Sequence, residues 1–282
     1  MKNFFVVANR QKAETDNFIK EIEEFLVSKN ASCVVDTSCK ENERYTDKDV
    51  VPEDTECVIV LGGDGTLLHA TNDLVDISVP FLGINLGTLG YLSAVEKADT
   101  FKALDRMLKD DYIIENRMML SGIINKDGAD IPGIESLNEI VITAEKPMQI
   151  VSVSVYINNQ FMHRYQGDGV IVSTPTGSTG YNLSAGGPII NPTARTMILT
   201  PICPHSMQNR SIVFSSDDTI RIVIDEDRYS GKQNVVAIFD GYHRHLMSTG
   251  DDLTISKSGK TTKIVKLNSE SFLETLHNKL EG

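Results

Sequence analysis

With 282 residues, 40% of them hydrophobic and 23% charged, the chain has an ordinary globular composition and is long enough for one large domain or two of usual size. Its 27 Lys and Arg against 39 Asp and Glu leave a net charge of −12, which argues against nonspecific binding to nucleic acid or to anionic membranes. A polyanionic substrate would therefore have to be met by backbone dipoles, a few basic side chains or a divalent cation.

The apolar run at residues 4–8 is too short for a signal-peptide core, and no apolar run of about 18 residues occurs, so a cytoplasmic location is expected. Cys33, Cys39, Cys57 and Cys203 show neither CxxC nor metal-ligand spacing, which fits free thiols in a reducing compartment. Residues 4–8 read as a first strand. A helix is expected over 14–28, with Phe18, Ile19, Ile22, Phe25 and Leu26 on one face. A short strand at 33–35 follows, then a polar loop over 36–55.

Residues 57–61 form a continuous apolar run of the kind buried inside a parallel sheet, and they lead into Gly62-Gly63-Asp64-Gly65. The three glycines suggest positive φ and close approach of a ligand to the backbone. Together with the start of the next helix, expected over 65–74, their amides make Gly62, Gly63, Gly65 and Thr66 a candidate phosphate site. Asp64 is the unusual member, because a carboxylate repels phosphate. A base for a hydroxyl, a metal ligand and a helix cap all remain open for it. A strand at 79–84 ends in a second glycine turn, residues 85–91, where ligands of open parallel sheets collect. Asp99 is the expected N-cap of a helix over 100–108. This alternation indicates a parallel α/β domain, although neither G-x-G-x-x-G nor a Walker A loop is present.

After Tyr112 strands dominate, expected at 118–125, 137–143, 150–157, 160–165, 169–173, 212–214, 219–224, 234–239 and 252–255. Val151, Val153, Val155 and Ile157 alternate with Ser152, Ser154 and Tyr156, the pattern of a half-buried antiparallel strand. An amphipathic segment at 269–280 closes the chain. The division expected is an α/β domain over 1–116 and a mostly β, sandwich-like domain over 117–261, with residues from about 262 to 282 packing back on the first.

Two further runs carry chemistry. Residues 167–188, Gly-Asp-Gly-Val-Ile-Val-Ser-Thr-Pro-Thr-Gly-Ser-Thr-Gly-Tyr-Asn-Leu-Ser-Ala-Gly-Gly-Pro, put short hydroxyls, exposed amides and one aromatic ring together. That surface suits a purine and a ribose, although Ser178 and Thr179 also read as caps and turn residues. Asn138 and Glu139 open an apolar strand, and an adjacent amide and carboxylate can take vicinal hydroxyls or a base edge.

The combination LGGDGTLLHA, SLNEIVI, GDGVIVSTPTGSTGYNLSAGGPII and LTPICPHS resembles the NAD kinase (ATP-NAD kinase) family, from the first strand to about Asp240. The resemblance implies a Rossmann-like α/β domain joined to a β-sandwich-like domain. It implies transfer of the γ-phosphoryl of ATP to the 2′-hydroxyl of the adenosine ribose of NAD, with Mg²⁺ or another divalent cation held through the ATP phosphates rather than by a side-chain ligand set. It also implies a homodimer or homotetramer with small-molecule substrates and no nucleic-acid or membrane partner. Residue by residue, Asp64 matches the catalytic base and Gly65 its neighbour in the NAD site. Asn138 and Glu139 match the N-E pair and Asp168 the GDG aspartate, while Thr179, Gly180, Tyr181, Asn182, Leu183 and Ser184 match the nucleoside segment. His69 lies at a family NAD-contact position or is a helix-face histidine. Gln166 stands where many bacterial members have Arg, Gly180 where Ala is more usual, and Leu92 where some members carry an aromatic. Two competing readings are a lipid kinase sharing the glycine-aspartate turn and a noncatalytic NAD(H) or NADP(H) sensor.

Overall fold

The apolar runs at 4–8, 57–61 and 81–85 are buried on both faces, whereas the short strand at 32–35 is partly exposed. The structure, a computed structural model, describes residues 1–9, 14–37, 46–87, 90–93, 95–205, 210–226, 231–267 and 272–281. It divides into two units, Met1–Arg117 with Thr262–Gly282, and Met118–Thr261.

In the first unit β1 (Asn3–Ala8), β2 (Ser32–Val35), β3 (Cys57–Gly62), β4 (Phe81–Asn85) and β5 (Val95–Glu96) pair in parallel in the order β2-β1-β3-β4-β5. The helix α1 (Glu14–Ser28) buries Phe18, Ile19, Ile22 and Leu26 against Phe4, Val6, Ile59 and Leu61. Each such side chain contributes roughly 1.5–3 kcal/mol on burial. The helices α2 (Asp64–Asp73) and α3 (Thr100–Leu108) follow β3 and β5, and Ala103, Leu104 and Met107 of α3 join the same core as α1. Asp99 makes no side-chain capping bond. A 3-10 turn, Lys97–Asp99, precedes α3 instead, and Thr100 Oγ1 donates to the carbonyl of Lys97 at 2.9 Å. The polar loop contains a second such turn, Lys48–Val50, where Asp47 accepts from the amide of Asp49. Residues 38–45 of that loop lie outside the described residues, as do Thr88 and Leu89 of the second glycine turn.

The second unit is built from β6 (Ile113–Lys126), which begins in the first unit, and then β7 (Ala129–Ser136), β8 (Glu139–Ala144), β9 (Val151–Ile157), β10 (Gln160–Gly167), β11 (Gly169–Ser173), β12 (Thr196–Ile202), β13 (Ile212–Ser215), β14 (Ile220–Ile224), β15 (Asn234–Phe239), β16 (His243–Ser248) and β17 (Asp252–Lys266). An antiparallel six-stranded sheet runs β13-β12-β11-β8-β15-β16, and β10-β9-β14-β17 form a second antiparallel set. Ile140, Ile142, Val170, Val172, Leu199 and Phe239 of the first sheet share one core with Val153, Val155, Ile222 and Leu253 of the second. The chain ends in α5 (Phe272–Glu281), within the first unit, and the start of the segment expected at 269–280 falls outside the described residues.

Four strands escape the sequence pattern, the two-residue β5 among them. β7 contains Pro132 and Gly133, both poor strand residues. They are tolerated because the hairpin shifts register between Ser121 and Ile123, where a Cβ on Gly133 would collide with the carbonyl of Gly122. β12 contains Pro201, which still stands opposite Val170 of β11, and β16 reads as polar, HRHLMS, because it is an edge strand. The alternation along β9 also differs from expectation, since Ser152 and Ser154 are buried as well. Arg164, Asp225 and Gln233 cover them: Ser154 Oγ donates to Asp225 at 2.8 Å and Arg164 Nε donates to Ser152 Oγ at 3.1 Å. The alternation is one of polarity rather than of exposure.

Candidate active site

In the first unit, the ends of β3 and β4 lie side by side with Gly62 opposite Asn85, so the two glycine turns leave the same edge of the parallel sheet. Leu86 N donates to the carbonyl of Gly62 at 3.3 Å, and Asn85 Oδ1 accepts from Gly87 N at 3.0 Å. Gly63 is the N-cap of α2 and makes no side-chain bond, which leaves Asp64 as the first helical residue rather than the cap. The Asp64 carboxylate instead reaches the second turn. Oδ2 accepts from Tyr91 N at 2.7 Å, and Oδ1 accepts from Leu92 N at 3.2 Å, Ser93 N at 3.0 Å and Ser93 Oγ at 3.0 Å. Among the described residues Oδ1 has three donors and Oδ2 one, so Oδ2 keeps acceptor capacity. Three amides and a hydroxyl thus hold the carboxylate against the second turn. Oδ2 can take a proton from a hydroxyl or meet a cation.

The glycines serve packing and approach, not left-handed backbone: Gly62, Gly63 and Gly65 all lack positive φ. A Cβ on Gly62 would strike the buried side chain of Thr66, so that hydroxyl belongs to the turn's own packing. A Cβ on Gly63 or Gly65 would meet nothing within 4 Å and both residues are exposed, so a ligand can approach a helix start whose first N–H groups lack intrahelical partners. His69 sits on α2, half-buried, with its pKa lowered by desolvation against the opposing charge of Asp73. Among the described residues no group of three or more His, Cys, Asp or Glu side chains converges as a metal site.

In the second unit Asn138 and Glu139 stand at the start of β8, where Ser173 of β11 pairs with Glu139. The loop after β11 is pinned onto them. Thr174 N donates to the Asn138 carbonyl at 2.8 Å, and Thr174 Oγ1 donates to the Leu137 carbonyl at 2.6 Å. Gly177 packs so closely that a Cβ there would enter the Asn138 carbonyl. Asn138 Oδ1 and Glu139 Oε2 are both buried and have no hydrogen-bond partner among the described residues. Such orphans cost roughly 1–3 kcal/mol each when nothing satisfies them, so a buried pair of unsatisfied acceptors points to a ligand bearing donors. The Glu139 carboxyl is pushed up to about 8, first by burial and then by the charge of Asp240.

Thr179 and Gly180 follow in a 3-10 turn, Gly177–Thr179, and its cap, and Tyr181, Asn182, Leu183 and Ser184 form the one-turn helix α4 (Tyr181–Ser184). A Cβ on Gly180 would lie 3.1 Å from Glu139 Oε2, so glycine, with no side chain, leaves this carboxyl room. Tyr181 is exposed, with a phenol pKa raised mainly by desolvation and then by Cys203, Asp168 and Glu139. Leu183 and Ser184 are exposed beside it. Asn182 faces the other way. It is fully buried, its Nδ2 donates to the carbonyls of Ser178 at 3.2 Å and Pro188 at 3.1 Å, and its Oδ1 accepts from Thr200 Oγ1 at 2.7 Å. Its side chain therefore shapes the loop rather than reading a ligand. Asn182→Ala should lower stability by about 1–3 kcal/mol through the partners it orphans, measured by urea unfolding. Asp168 is exposed between β10 and β11, its amide donating to Ile202 O at 3.0 Å and its carbonyl accepting from Thr143 Oγ1 at 2.9 Å. Gln166 is half-buried near the end of β10, where its carbonyl accepts from His205 N at 2.8 Å. Ser206, the last residue of the LTPICPHS run, lies outside the described residues.

Sequence reasoning missed Ser93 and Asp240. Ser93 carries no motif signal by itself. The only trace of Asp240 is an Asp-Gly pair closing the apolar strand β15, a common turn signal.

The chain matches the profile of the ATP-NAD kinase N-terminal domain over residues 4–112 and that of the ATP-NAD kinase C-terminal domain over residues 137–267. It is 42% identical to an NAD kinase of Lachnoclostridium phytofermentans over 99% of each sequence. Among solved structures, it superposes on an NAD kinase of Archaeoglobus fulgidus in complex with ATP with a TM-score of 0.79 at 26% identity, covering 100% of this chain and 99% of that one. It superposes on yeast NADH kinase complexed with NADH with a TM-score of 0.86 at 22% identity, covering 100% of this chain and 88% of that one, a likeness of fold.

Proposed function

The chain belongs to the ATP-NAD kinase family and is an NAD kinase, and we propose that it transfers the γ-phosphoryl of ATP to the 2′-hydroxyl of the adenosine ribose of NAD with Asp64 as general base. The observation that carries this reading is the Asp64 carboxylate, oriented by Tyr91, Leu92 and Ser93 so that Oδ2 retains acceptor capacity. A ribose hydroxyl is a poor nucleophile near neutral pH. Oδ2 takes its proton as the oxygen bonds to the γ-phosphorus, and the bond from that phosphorus to the bridging oxygen breaks to release ADP. The amides at the start of α2, with Gly63 and Gly65 leaving them accessible, stabilise the phosphoryl charge. Mg²⁺ bound with ATP would supply the charge neutralisation that a chain of net charge −12 is poorly equipped to give.

Asn138 Oδ1 and Glu139 Oε2 accept from the nucleoside's amino or hydroxyl groups, and Tyr181 offers an exposed ring for stacking. Asp168, Gln166 and His69 are further NAD contacts in this reading, and Thr179, Gly180, Leu183 and Ser184 line the nucleoside segment. The protein works in the cytoplasm as a homodimer or homotetramer, which sedimentation equilibrium tests; an active monomer would exclude it. Incubation with NAD, ATP and Mg²⁺ should yield NADP and ADP in equal amounts. ADP without NADP, or NAD binding with no product, would sink the kinase reading. Tyr181→Ala should weaken NAD binding about 5- to 150-fold, the scale of roughly 1–3 kcal/mol for one base stacked on an aromatic ring, and leave ATP affinity nearly unchanged. Calorimetric titration of both nucleotides checks this, and an unaltered NAD affinity would remove the stacking role.

A further inference from the structure

Asp240 is a buried carboxylate immediately after β15, in the second unit, with a left-handed φ of +47° that a non-glycine residue seldom adopts. Its own amide donates to the Glu139 carbonyl at 3.0 Å. In return the carboxylate collects three consecutive amides: Leu137 N at 2.6 Å on Oδ2, and Asn138 N at 2.8 Å and Glu139 N at 3.0 Å on Oδ1. Hydrogen bonds to a charged acceptor are among the stronger ones in proteins, and three in a row immobilise the backbone that carries both side chains.

We propose that Asp240 is a positioning residue for nucleoside binding, fixing the 137–139 backbone so that Asn138 Oδ1 and Glu139 Oε2, which have no partners among the described residues, are held for the donors of the bound dinucleotide. This rests on reading Asn138 and Glu139 as nucleoside contacts. The amides of 137–139 are engaged by Asp240 and so do not satisfy either side-chain oxygen. Asp240 also acts through charge, since its carboxylate adds to burial in holding the Glu139 proton until about pH 8. Glu139 is in turn the least of the causes that raise the Tyr181 phenol, after burial, Cys203 and Asp168, while Ser173, opposite Glu139 on β11, carries no charge.

The test compares the native protein with Asp240→Asn, which keeps the shape and removes the charge. NAD dissociation constants are measured by calorimetry between pH 6 and 10. NAD affinity of the native protein should show an inflection near pH 8 from Glu139. In Asp240→Asn the NAD dissociation constant should rise about tenfold, the scale of one lost hydrogen bond to a charged group. Its inflection should move to lower pH, because losing a neighbouring negative charge makes Glu139 release its proton more readily. Glu139→Gln should abolish the inflection in either background. A purely structural role would lower the melting temperature and leave the inflection in place. Unchanged affinity and inflection in Asp240→Asn would overturn the proposal. If Asp240→Asn does not fold, Asp240→Glu keeps the charge but displaces it by one methylene, so affinity should fall with the inflection retained, and unchanged affinity overturns the proposal. A ¹³C-carboxyl titration of native Glu139 needs no variant at all, and an ordinary carboxylate midpoint there overturns the charge coupling. A native protein that neither binds NAD nor forms NADP would instead refute the functional reading, before any substitution is made.

Discussion

Asp64→Asn should lower kcat by about 10²-fold or more, the usual scale for a positioned general base, which corresponds to at least about 2.7 kcal/mol of transition-state stabilisation. The structure adds what such a variant does elsewhere. An asparagine whose oxygen replaces Oδ1 still accepts from Leu92 N, Ser93 N and Ser93 Oγ, but its NH₂ then faces Tyr91 N, donor against donor. Folding should survive with a loss of about 1–3 kcal/mol, read from urea unfolding, while single-turnover kinetics report the chemical step. The separation matters, because about 1–3 kcal/mol of stability does not reduce the turnover of molecules that remain folded. Near-native turnover in a folded Asp64→Asn protein would remove Asp64 as the base.

Gly90→Ala should be almost as damaging, though residue 90 carries no chemistry. A Cβ there would fall among Oδ1, Oδ2 and Cγ of Asp64, so either the carboxylate or the turn must move. Displacing a catalytic group by about 1 Å commonly costs on the order of 10²-fold in rate. The expected signature is a fall in kcat with little change in the KM for NAD, together with a lowered melting temperature from the loosened Tyr91–Ser93 bonds. Gly63→Ala supplies the contrast. Nothing lies within 4 Å of a Cβ at that position, so the fold and melting temperature should be native and any loss of activity reports a ligand pressed against the turn. A Gly90→Ala enzyme with native kcat would show that the turn does not hold the base.

Much of the first unit was legible because each signal there is local. The apolar runs of β1, β3 and β4, the 3.6-residue stripe Phe18, Ile19, Ile22 and Leu26, and the glycine-aspartate turn depend on neighbours in sequence. The β-rich unit was less legible. β7 hides behind Pro132 and Gly133, and β16 is an edge strand with a polar sequence, so neither shows the alternation of a half-buried strand. Ser152 and Ser154 kept their polarity pattern, yet both are buried, because Arg164, Asp225 and Gln233 come from elsewhere in the chain to cover them.

For the site, residue identity and order sufficed to indicate chemistry: a carboxylate among glycines, an amide beside a carboxylate, and hydroxyls around one tyrosine. These are properties of single side chains and short spacings, and they already pointed to the family. Only the tertiary structure decided what each group has left to offer. Asn182 stands among the nucleoside residues in sequence, but its amide is spent inside the loop on Ser178, Pro188 and Thr200. Asp64 turned out to be gripped by residues 27 to 29 positions away, and Glu139 to be anchored by a residue 101 positions on. A hydrogen bond depends on distance in space, and a chain that folds back brings donors to an acceptor from positions that no local pattern marks. The sequence therefore marks Asp64 as a candidate base, while the fold determines which of its two oxygens keeps acceptor capacity among the described residues.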